Sequence, residues 1–526
     1  MRRIRAATVM ERLFSALVVR RRSRLRHHGQ VIYTHWWGML QLAPPACGRI
    51  SAQALTFAAP PGVLLRNGSL ECPRHSTLEL RRMVDTQSAP ELAALGPKVR
   101  RMFDISAAKI RSLEQSWEPA KGAPVFTVGG RYTNRGWTEW TQGFQFGSAI
   151  LQFDATGDTE FLEIGRQRTV DFMAPHLTHT GVHDHGFNNV STYGNLLRLM
   201  KEGRIAENLW ERRFYEVALK VSGAVQASRW SPIAGGGGYI YSFNGPHSLF
   251  VDTLRTLRAP ALSHLLGHVL MGENDVMISL IDRVAQHARA TAKYAIWYGE
   301  GRDAYDVRGR TAHESVFNVN DGNYRCPNSQ QGYSPFSTWT RGLAWAMCGF
   351  AEQLELFDTL HGHEETIAIM EKAARATCDF YIAHTPPDGI PYWDTGAPGL
   401  AHLGDWGSVP ADPYNPFEPV DSSAAAIGAQ GLLRLGHRLK NDDYFRAGLK
   451  VSDTLFTEPY LSADENHQGL ILHSVYHRPN GWDAIPANAR VPAGESSMWG
   501  DYHAREVGLY LLRMLEGKPY LKFWVA

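Results

Sequence analysis

The sequence has few cysteines, no long apolar run and almost no net charge, and each absence excludes a class of protein. Its five cysteines form no Cys-x-x-Cys pair, so neither a disulfide framework nor a zinc site is indicated. No stretch approaches the roughly 18 consecutive apolar residues of a transmembrane helix, and we expect no membrane partner. The formal net charge is only +2, with much of the basic excess near the start of the chain, so nucleic acid is not an expected partner either.

The first 85 residues lack the periodicity of the remainder of the chain. Residues 2–26 are rich in arginine and contain one acid, Glu11. We expect residues 1–85 to form an N-terminal extension that is disordered or peripheral. No export signal is evident, since a basic segment, an apolar segment and a small-residue cleavage site do not follow one another in order. Together with the odd number of cysteines this favours the cytoplasm, with the periplasm as the alternative.

From residue 86 onward two kinds of helical segment alternate. The first kind is rich in Gly, Ala, Ser and aromatic residues, and the second is amphipathic and more charged. The predicted pairs are 140–155 with 159–172, 191–200 with 206–229, 249–270 with 273–294, 337–357 with 363–384, and 421–435 with 442–456, preceded by a helix over 91–117 and followed by one over 498–515.

The two unpaired helices complete a sixth hairpin if the chain closes on itself. The pattern therefore predicts an all-α fold, an (α/α)6 barrel over residues 86–526 with the Gly-rich and aromatic helices inside. An open helical solenoid is the alternative, but its turns are short and regular, whereas the connections here are long and rich in Trp and Gly. These connections all precede an inner helix, so they gather at one end of the barrel, where we expect the site.

Two acids arrive at that end on neighbouring hairpins. Asp184 lies in a loop just before a helix, and Asp252 lies near the start of the next inner helix. A lone acid at a helix start is as often a cap as a functional group. A pair of carboxylates is, however, the usual equipment for cleaving a glycosidic bond. If the two are close, each charge raises the pKa of the other, while the helix dipole lowers that of Asp252.

Other polar and aromatic residues in the loops have two interpretations. His183 and His185 resemble a metal-binding pair. No third ligand follows at a spacing typical of metal sites, so we expect no metal. Arg341 is either a structural cation or a group that holds a substrate carboxylate by charge-assisted hydrogen bonds. The 15 Trp and 20 Tyr residues indicate either a large core or an aromatic-lined sugar site.

Six segments of the chain carry a recognisable pattern when they are taken together and in order. They are His183-Asp184-His185-Gly186-Phe187, Val251-Asp252-Thr253-Leu254, Gln331-Gly332-Tyr333-Ser334 with Trp339-Thr340-Arg341-Gly342-Leu343-Ala344-Trp345, Tyr392-Trp393-Asp394, Asp421-Ser422-Ser423-Ala424-Ala425-Ala426, and Trp499-Gly500-Asp501-Tyr502. In these segments the chain resembles the unsaturated glucuronyl hydrolases, glycoside hydrolase family 88. The resemblance runs from about residue 137 to about residue 515.

The resemblance implies the (α/α)6 barrel and an unusual hydrolysis. The substrate would be an oligosaccharide made by a polysaccharide lyase, with a 4,5-unsaturated uronic acid at its non-reducing end, and the enzyme would hydrate the C4=C5 bond. By resemblance, Asp252 is the acid and base, and Asp184 holds ring hydroxyls and tunes its partner. The residues that would bind the unsaturated sugar are His313, Gln331 and Arg341, with Trp140, Trp339 and Trp345 as aromatic walls. Such hydration needs a proton donor and a water, and neither metal nor cofactor is implied.

The sequence departs from the family pattern around both acids. His185 stands where many members have Leu, while Thr256 and Arg258 replace an Asn and a Pro after Asp252, and the glycines at 235–238 resemble an insertion. These changes bear on substrate preference more than on the reaction type. The alternatives are an unsaturated rhamnogalacturonyl hydrolase, which His313 and the spacing of Gln331 to Arg341 disfavour, an inverting glycosidase, a sugar epimerase, or a non-catalytic sugar-binding or scaffold protein. The source polysaccharide, sulfation preference and oligomeric state are not indicated.

Overall fold

Helices dominate the computed structural model, which describes residues 83–134 and 140–525. The predicted extension over residues 1–85 lies almost wholly outside the described residues. The helices are α1 (Gly96–Ser116), α2 (Gln142–Thr156), α3 (Thr159–Phe172), α4 (Ala174–Leu177), α5 (His185–Asn189), α6 (Asn195–Lys201), α7 (Leu209–Ser228), α8 (Thr253–Thr256), α9 (Arg258–Leu265), α10 (Leu280–Tyr294), α11 (Thr340–Phe357), α12 (Glu364–His384), α13 (Ser422–Leu439), α14 (Asp442–Leu455) and α15 (Met498–Leu515). A π-helical turn, Val190–Gly194, joins α5 to α6.

The inner helices form a closed ring. Along the ring, α2 packs on the α5–α6 segment, α5 on α8, α8 on α11, α11 on α13, α13 on α15, and α15 returns to α2. The first helix, α1, packs against α15 from outside, so the two ends of the chain complete the sixth hairpin. The predicted all-α (α/α)6 barrel and its closure are therefore confirmed. None of the described helices is long and apolar enough to cross a bilayer.

Composition separates the inner from the outer helices. Inner helices such as α11 and α13 are buried along nearly their whole length, and glycines allow them to approach closely. A Cβ on Gly349 would lie 3.0 Å from the backbone nitrogen of Arg255 on α8. Outer helices such as α10 bury one face, with Val284 and Ala288 inward, and begin at polar caps. Ser279, for example, accepts a hydrogen bond from the amide of Asp282 at 3.2 Å.

Short strands occupy the connections between helices, most of them at the barrel mouth. They are β1 (Pro124–Val128), β2 (Arg131–Asn134), β3 (Trp230–Pro232), β4 (Gly238–Ile240), β5 (Ser248–Phe250), β6 (Leu270–Met271), β7 (Met277–Ile278), β8 (Glu314–Phe317) and β9 (Tyr324–Asn328). All pairings are antiparallel: β1 with β2, β3 with β4, β6 with β7, and β5 with β8, which also pairs with β9. Gly235, Gly236 and Gly237 lie in the β3–β4 turn, and Gly238 begins β4. The β6–β7 hairpin follows an inner helix and lies at the other end of the barrel.

Several predicted helix boundaries are wrong, three helix starts among them. Residues 249–250 form a strand paired with β8, and helix begins only at Thr253. The helix predicted to start at 191 starts at His185, and the one predicted to start at 273 starts at Leu280, after the β6–β7 hairpin. In the first and third cases a short apolar run fits helix and strand equally well, and strand pairing decides the outcome. In the second case the helix begins six residues earlier than predicted, without a side-chain cap from Asp184.

The barrel axis beneath the mouth is filled by charged side chains. Arg255 pairs with Glu352 at 2.6 Å and with Glu506 at 2.7 Å, and Arg434 pairs with Glu355 at 3.0 Å. These side chains are at most 5% exposed, so each charge depends on its partners to offset the cost of burial. The cluster gives the cavity above it a rigid floor.

Candidate active site

A cavity of about 400 Å³ opens at the mouth of the barrel, where the long connections converge. Its walls come from connections before five of the inner helices, as the sequence predicts for the site. The lining residues are Trp140, His183, Asp184, Phe187, Phe243, Asp252, Gln330, Gln331, Trp339, Arg341, Trp345, Tyr476, His477 and Trp482. Seven of the eight predicted site residues are therefore brought together in one cavity wall, and the eighth, His313, lies directly behind it.

Asp184 and Asp252 each immediately precede a helix, α5 and α8 respectively. Neither side chain makes a capping hydrogen bond to its helix, although both residues occupy the capping position. Asp421, which precedes α13, behaves differently, because its Oδ1 accepts hydrogen bonds from the Ser423 and Ala424 amides. The simple capping interpretation thus describes Asp421 and not the two acids of the cavity.

One imidazole lies between the two carboxylates. His183 Nε2 donates to Asp252 Oδ1 at 3.0 Å, and His183 Nδ1 lies 3.9 Å from Asp184 Oδ2. The ring is 1% exposed and packs against Phe243 and Phe250. The hydrogen bond holds the Asp252 carboxylate against this imidazole, and Asp184 lies beside the same ring without a hydrogen bond to it.

Burial and charge shift the pKa values of the two acids in opposite directions. Burial raises the pKa of Asp184, and the neighbouring Asp252 raises it further, so the pKa remains above its usual value although His183 acts the other way. Burial also raises the pKa of Asp252, but the hydrogen bond and charge of His183 outweigh it and leave this pKa below its usual value. Burial lowers the pKa of His183, yet Asp184 and Asp252 together leave it raised.

Arg341, at the start of α11, links three parts of the mouth. Its Nη1 donates to Asp421 Oδ2 at 3.0 Å and to the Val475 carbonyl, and its Nη2 donates to the Tyr476 carbonyl at 2.8 Å. The guanidinium is sandwiched between Trp339 and Trp499, 4.6 and 4.9 Å from the ring centres. Much of its donor capacity is therefore spent on holding the wall together.

Gln331 is oriented by this guanidinium. Arg341 Nη2 donates to Gln331 Oε1 at 2.6 Å, which fixes the amide oxygen toward the protein. The amide NH2 of Gln331 is then the donor that remains for a ligand. His313 supports the same segment from behind, since its Nδ1 accepts from the Gln330 and Gln331 amides at 3.0 and 3.3 Å. Burial lowers the pKa of His313 to about 4, so the ring is neutral and can serve as this acceptor.

Aromatic rings form most of the remaining wall. Trp140 stacks on Trp499 with ring centres 4.9 Å apart, and Trp345 packs on Phe187 at 4.8 Å. Trp339 and Trp345 are almost fully buried, whereas Trp140 is half-buried nearer the rim. Flat apolar faces beside a few polar groups are suited to a sugar ring.

His185 has no part in the cavity wall. Its Nδ1 contacts Ser222 Oγ and its Nε2 donates to the His179 carbonyl, both at 3.0 Å. Burial lowers the pKa of His185 to about 3, so it is a neutral core histidine. Within residues 83–134 and 140–525 no group of three or more His, Cys, Asp or Glu residues is arranged to hold a metal ion.

Sequence reasoning missed one wall, formed by the segment from Tyr476 to Asp483. Asp483 accepts hydrogen bonds from the amides of Tyr476 and His477 at 2.5 and 3.1 Å, which folds the segment into a turn. This turn presents Trp482 at the rim, in contact with the rings of Tyr476 and His477. The only sequence signal was a Pro-Asn-Gly turn with an adjacent Trp.

No family model matches the chain. Two curated proteins are similar to it over most of their length. An unsaturated glucuronyl hydrolase of Bacillus sp. strain GL1 is 27% identical over 399 residues, covering 73% of this chain and 89% of the relative. An unsaturated chondroitin disaccharide hydrolase of Streptococcus pyogenes serotype M1 is 24% identical over 410 residues, covering 74% and 83%.

Solved structures support the same fold. The crystal structure of an unsaturated glucuronyl hydrolase specific for heparin superposes with a TM-score of 0.62 at 19% identity, covering 81% of this chain and 99% of that one. The resemblance to unsaturated glucuronyl hydrolases that the sequence motifs indicate is therefore confirmed, as is the barrel.

Proposed function

We propose that the chain is a glycoside hydrolase that removes the 4,5-unsaturated uronic acid from the non-reducing end of oligosaccharides made by polysaccharide lyases, by hydrating the C4=C5 bond. The observation that carries this proposal is the placement of Asp184, His183 and Asp252 on one wall of an aromatic cavity, in a chain similar to unsaturated glucuronyl hydrolases. The cavity supplies paired carboxylates and room for a sugar.

Asp252 is the proton donor and acceptor in this proposal. A proton passes from Asp252 to C4 of the unsaturated sugar, a water oxygen bonds to C5, and the water proton returns to Asp252. The product is a hemiketal at C5. Its C5–ring-oxygen bond then breaks to give a ketone, the C1–oxygen bond to the leaving sugar follows, and that sugar is released. No electrons are gained or lost overall, so one acid and one water suffice.

Asp184 binds ring hydroxyls of the substrate and influences the charge state of Asp252. With its pKa raised by burial and by Asp252, it can present a hydroxyl or a carboxylate to the ring hydroxyls of the sugar. Asp184 lies 3.9 Å from His183, so its charge state acts on Asp252 through the imidazole.

In this proposal Gln331 donates to the sugar carboxylate. Arg341, whose Nη donors are already taken by protein oxygens, orients the Gln331 amide and contributes its positive charge. The free amide donor of Gln331 faces the same cavity as the buried guanidinium, and His313 fixes the backbone of that segment. Trp339 and Trp345 line the deep part, so they pack on the unsaturated ring, while Trp140 closes the side near Asp184.

The leaving sugar lies at the rim, on Trp482. The deepest lining groups, among them Trp345 and Phe187, are about 1% exposed, whereas Trp482 is half-buried at the opening. A disaccharide whose first ring reaches Asp252 places its second ring between Trp482 and Tyr476. Among the described lining residues Arg341 is the only Arg or Lys, and its guanidinium already donates to Asp421.

The proposal is tested with unsaturated disaccharides and tetrasaccharides from lyase digestion of chondroitin, hyaluronan, heparin, gellan and ulvan. Hydration removes the ultraviolet absorbance of the conjugated double bond, so loss of absorbance reports turnover on each substrate. We expect loss on at least one product that bears an unsaturated uronic acid. Unchanged absorbance across the panel with folded protein would overturn the proposal. Turnover of a rhamnogalacturonan lyase product assayed beside the panel, with no turnover of the panel itself, would favour the related unsaturated rhamnogalacturonyl hydrolases.

Asp252→Asn separates catalysis from sugar binding. The variant keeps the size and shape of the side chain but cannot exchange a proton, so turnover should fall by at least about 100-fold while the sugar still binds. Asp158→Asn is the matched control, because Asp158 precedes α3, is exposed, and caps the Glu160 amide as Asn can. A non-catalytic sugar-binding protein would show no turnover in any form.

We propose that residues 86–526 form the catalytic domain and that the protein acts in the cytoplasm. The described cysteines, Cys326, Cys348 and Cys378, are free thiols, as expected in a reducing compartment. Fractionation of cells expressing the full chain, with activity recovered from the cytoplasmic fraction, is the expected result. Recovery in the periplasmic fraction would contradict it.

A further inference from the structure

The proposed reaction needs a proton on Asp252, yet the surroundings of Asp252 favour its ionised form. The hydrogen bond and charge of His183 hold the pKa of Asp252 below its usual value, against the effect of burial. Before substrate binds, the proton that Asp252 will donate must therefore reside on another group.

The nearest place for that proton is His183. Its Nε2 is 3.0 Å from Asp252 Oδ1, a hydrogen-bond distance along which a proton can pass. Its Nδ1 is buried and has no hydrogen-bond partner, with Asp184 Oδ2 at 3.9 Å as the facing oxygen. Phe243 and Phe250 pack on the ring and exclude water from it.

We propose that His183 is a positioning residue that stores the catalytic proton and passes it from Nε2 to Asp252 Oδ1 when the unsaturated sugar fills the cavity. This inference rests on the proposed hydration. The transfer breaks the His183 N–H bond and forms an O–H bond on Asp252, leaving a neutral imidazole and a neutral acid. The proton returns along the same hydrogen bond when the product leaves.

Substrate entry supplies the driving force. The unsaturated uronic acid brings a negative carboxylate into the cavity and displaces water, and both changes favour the neutral form of Asp252. Moving a proton along a 3.0 Å hydrogen bond requires no rearrangement of the wall.

The other titratable groups around His183 leave this assignment intact. Arg229 lowers the pKa of His183 but is outweighed by Asp184 and Asp252. His287 and His313 also face the site, and burial lowers their pKa values to about 3 and about 4, so both are neutral. Of these three imidazoles, that of His183 is the one whose pKa is raised by its surroundings, and it is the one hydrogen-bonded to Asp252.

His183→Gln tests the assignment, because its amide can still donate to Asp252 but stores no proton. On a disaccharide that the wild type turns over, we expect kcat near neutral pH to fall about 10- to 100-fold with KM changed less than about threefold. The alkaline limb of the kcat profile should move to lower pH by at least about one unit, because Asp252 must then hold the proton alone. His185→Gln, a neighbouring buried histidine outside the cavity, should keep the wild-type pH profile.

Three outcomes would overturn the inference while leaving the proposed function standing. They are wild-type kcat and pH profile in His183→Gln, an equal loss of kcat at every pH, or the same shifted profile in His185→Gln. Absence of turnover in the wild type would instead refute the proposed function itself.

A second measurement tests the same inference without the His183→Gln variant, in case that variant does not fold. The wild-type protein carrying 13C-labelled histidine is titrated by NMR with and without Asp252→Asn. We expect one histidine to titrate above the ordinary value of about 6.5 and to lose that elevation in Asp252→Asn. A histidine set in which none titrates above the ordinary value contradicts the stored proton.

Discussion

Gly186 and Thr256 are in direct backbone contact: a Cβ on Gly186 would lie 2.2 Å from the Thr256 carbonyl oxygen. This contact joins α5, which follows Asp184, to α8, which follows Asp252. Arg258 strengthens the same junction, since its Nη2 donates to the Gly186 carbonyl at 3.1 Å. Gln226 spans it as well, with its Nε2 donating to the His183 carbonyl at 2.8 Å and to Thr256 Oγ1.

Gly186→Ala should therefore separate the two acids. The added methyl group cannot fit without moving α5 away from α8, so we expect about 1–3 kcal/mol of destabilisation and at least about a tenfold loss of kcat/KM. Thermal unfolding and the absorbance assay measure the two effects. The matched control is Gly181→Ala, whose Cβ would meet only the side chain of the neighbouring His179. Full activity in Gly186→Ala would show that the junction does not set the spacing of the acids.

The two departures of the sequence from the family pattern after Asp252 fall at this junction. Thr256 and Arg258 replace an Asn and a Pro, and both make the hydrogen bonds that hold α8 and α9 against α5. The sequence alone marked these positions as irregular but gave no partner for either. Their partners, Gln226 and Gly186, lie 30 and 72 residues away along the chain, beyond any local pattern.

Trp482 should control binding of the leaving sugar. Trp482→Ala removes a flat apolar face at the rim, and we expect KM for an unsaturated disaccharide to rise about tenfold, equivalent to about 1.4 kcal/mol, with little change in kcat. Trp210→Ala is the control, because Trp210 lies on outer helix α7 and is 80% exposed. A fall in kcat with unchanged KM would place Trp482 in the chemical step and contradict its role in binding.

The floor of the barrel should depend on paired charges. Arg255→Met leaves Glu352 and Glu506 buried without their main partner, and we expect a loss of about 3–5 kcal/mol in the free energy of unfolding. Chemical denaturation measures it. Lys121→Met breaks an exposed pair with Glu118 and should cost less than about 1 kcal/mol. Equal costs in the two variants would mean that burial does not set the strength of the Arg255 pairs.

Much of the fold could be predicted from the sequence, because helices with strong periodicity and clear caps determine it. The segment 498–515 matches α15 at both ends, and 159–172 matches α3 likewise. Asp252 was placed inside a helix that begins only after it, because residues 249–250 pair with β8 and a uniformly apolar run does not distinguish strand from helix.

The candidate site could be predicted only in part, and from its loops and motifs instead of helix periodicity. Loops before inner helices identify the mouth, and the motifs there include both acids. Which groups touch depends on distant contacts, however. His183 and Asp252 are 69 residues apart, and the donors of Arg341 are mostly taken by Asp421, Val475 and Tyr476. Trp482 lies in an irregular turn, where no periodicity marks a residue as facing inward.

Hydration of the C4=C5 bond requires that water add to C5 of the unsaturated sugar and not to C1. The most direct measurement is turnover of an unsaturated disaccharide in 18O-labelled water, with immediate borohydride reduction and mass spectrometric fragmentation of the released acid. Hydration predicts the label on the oxygen at C5, with the C1 oxygen derived from the former ring. Label at C1 would show direct displacement of the leaving sugar and would contradict the account.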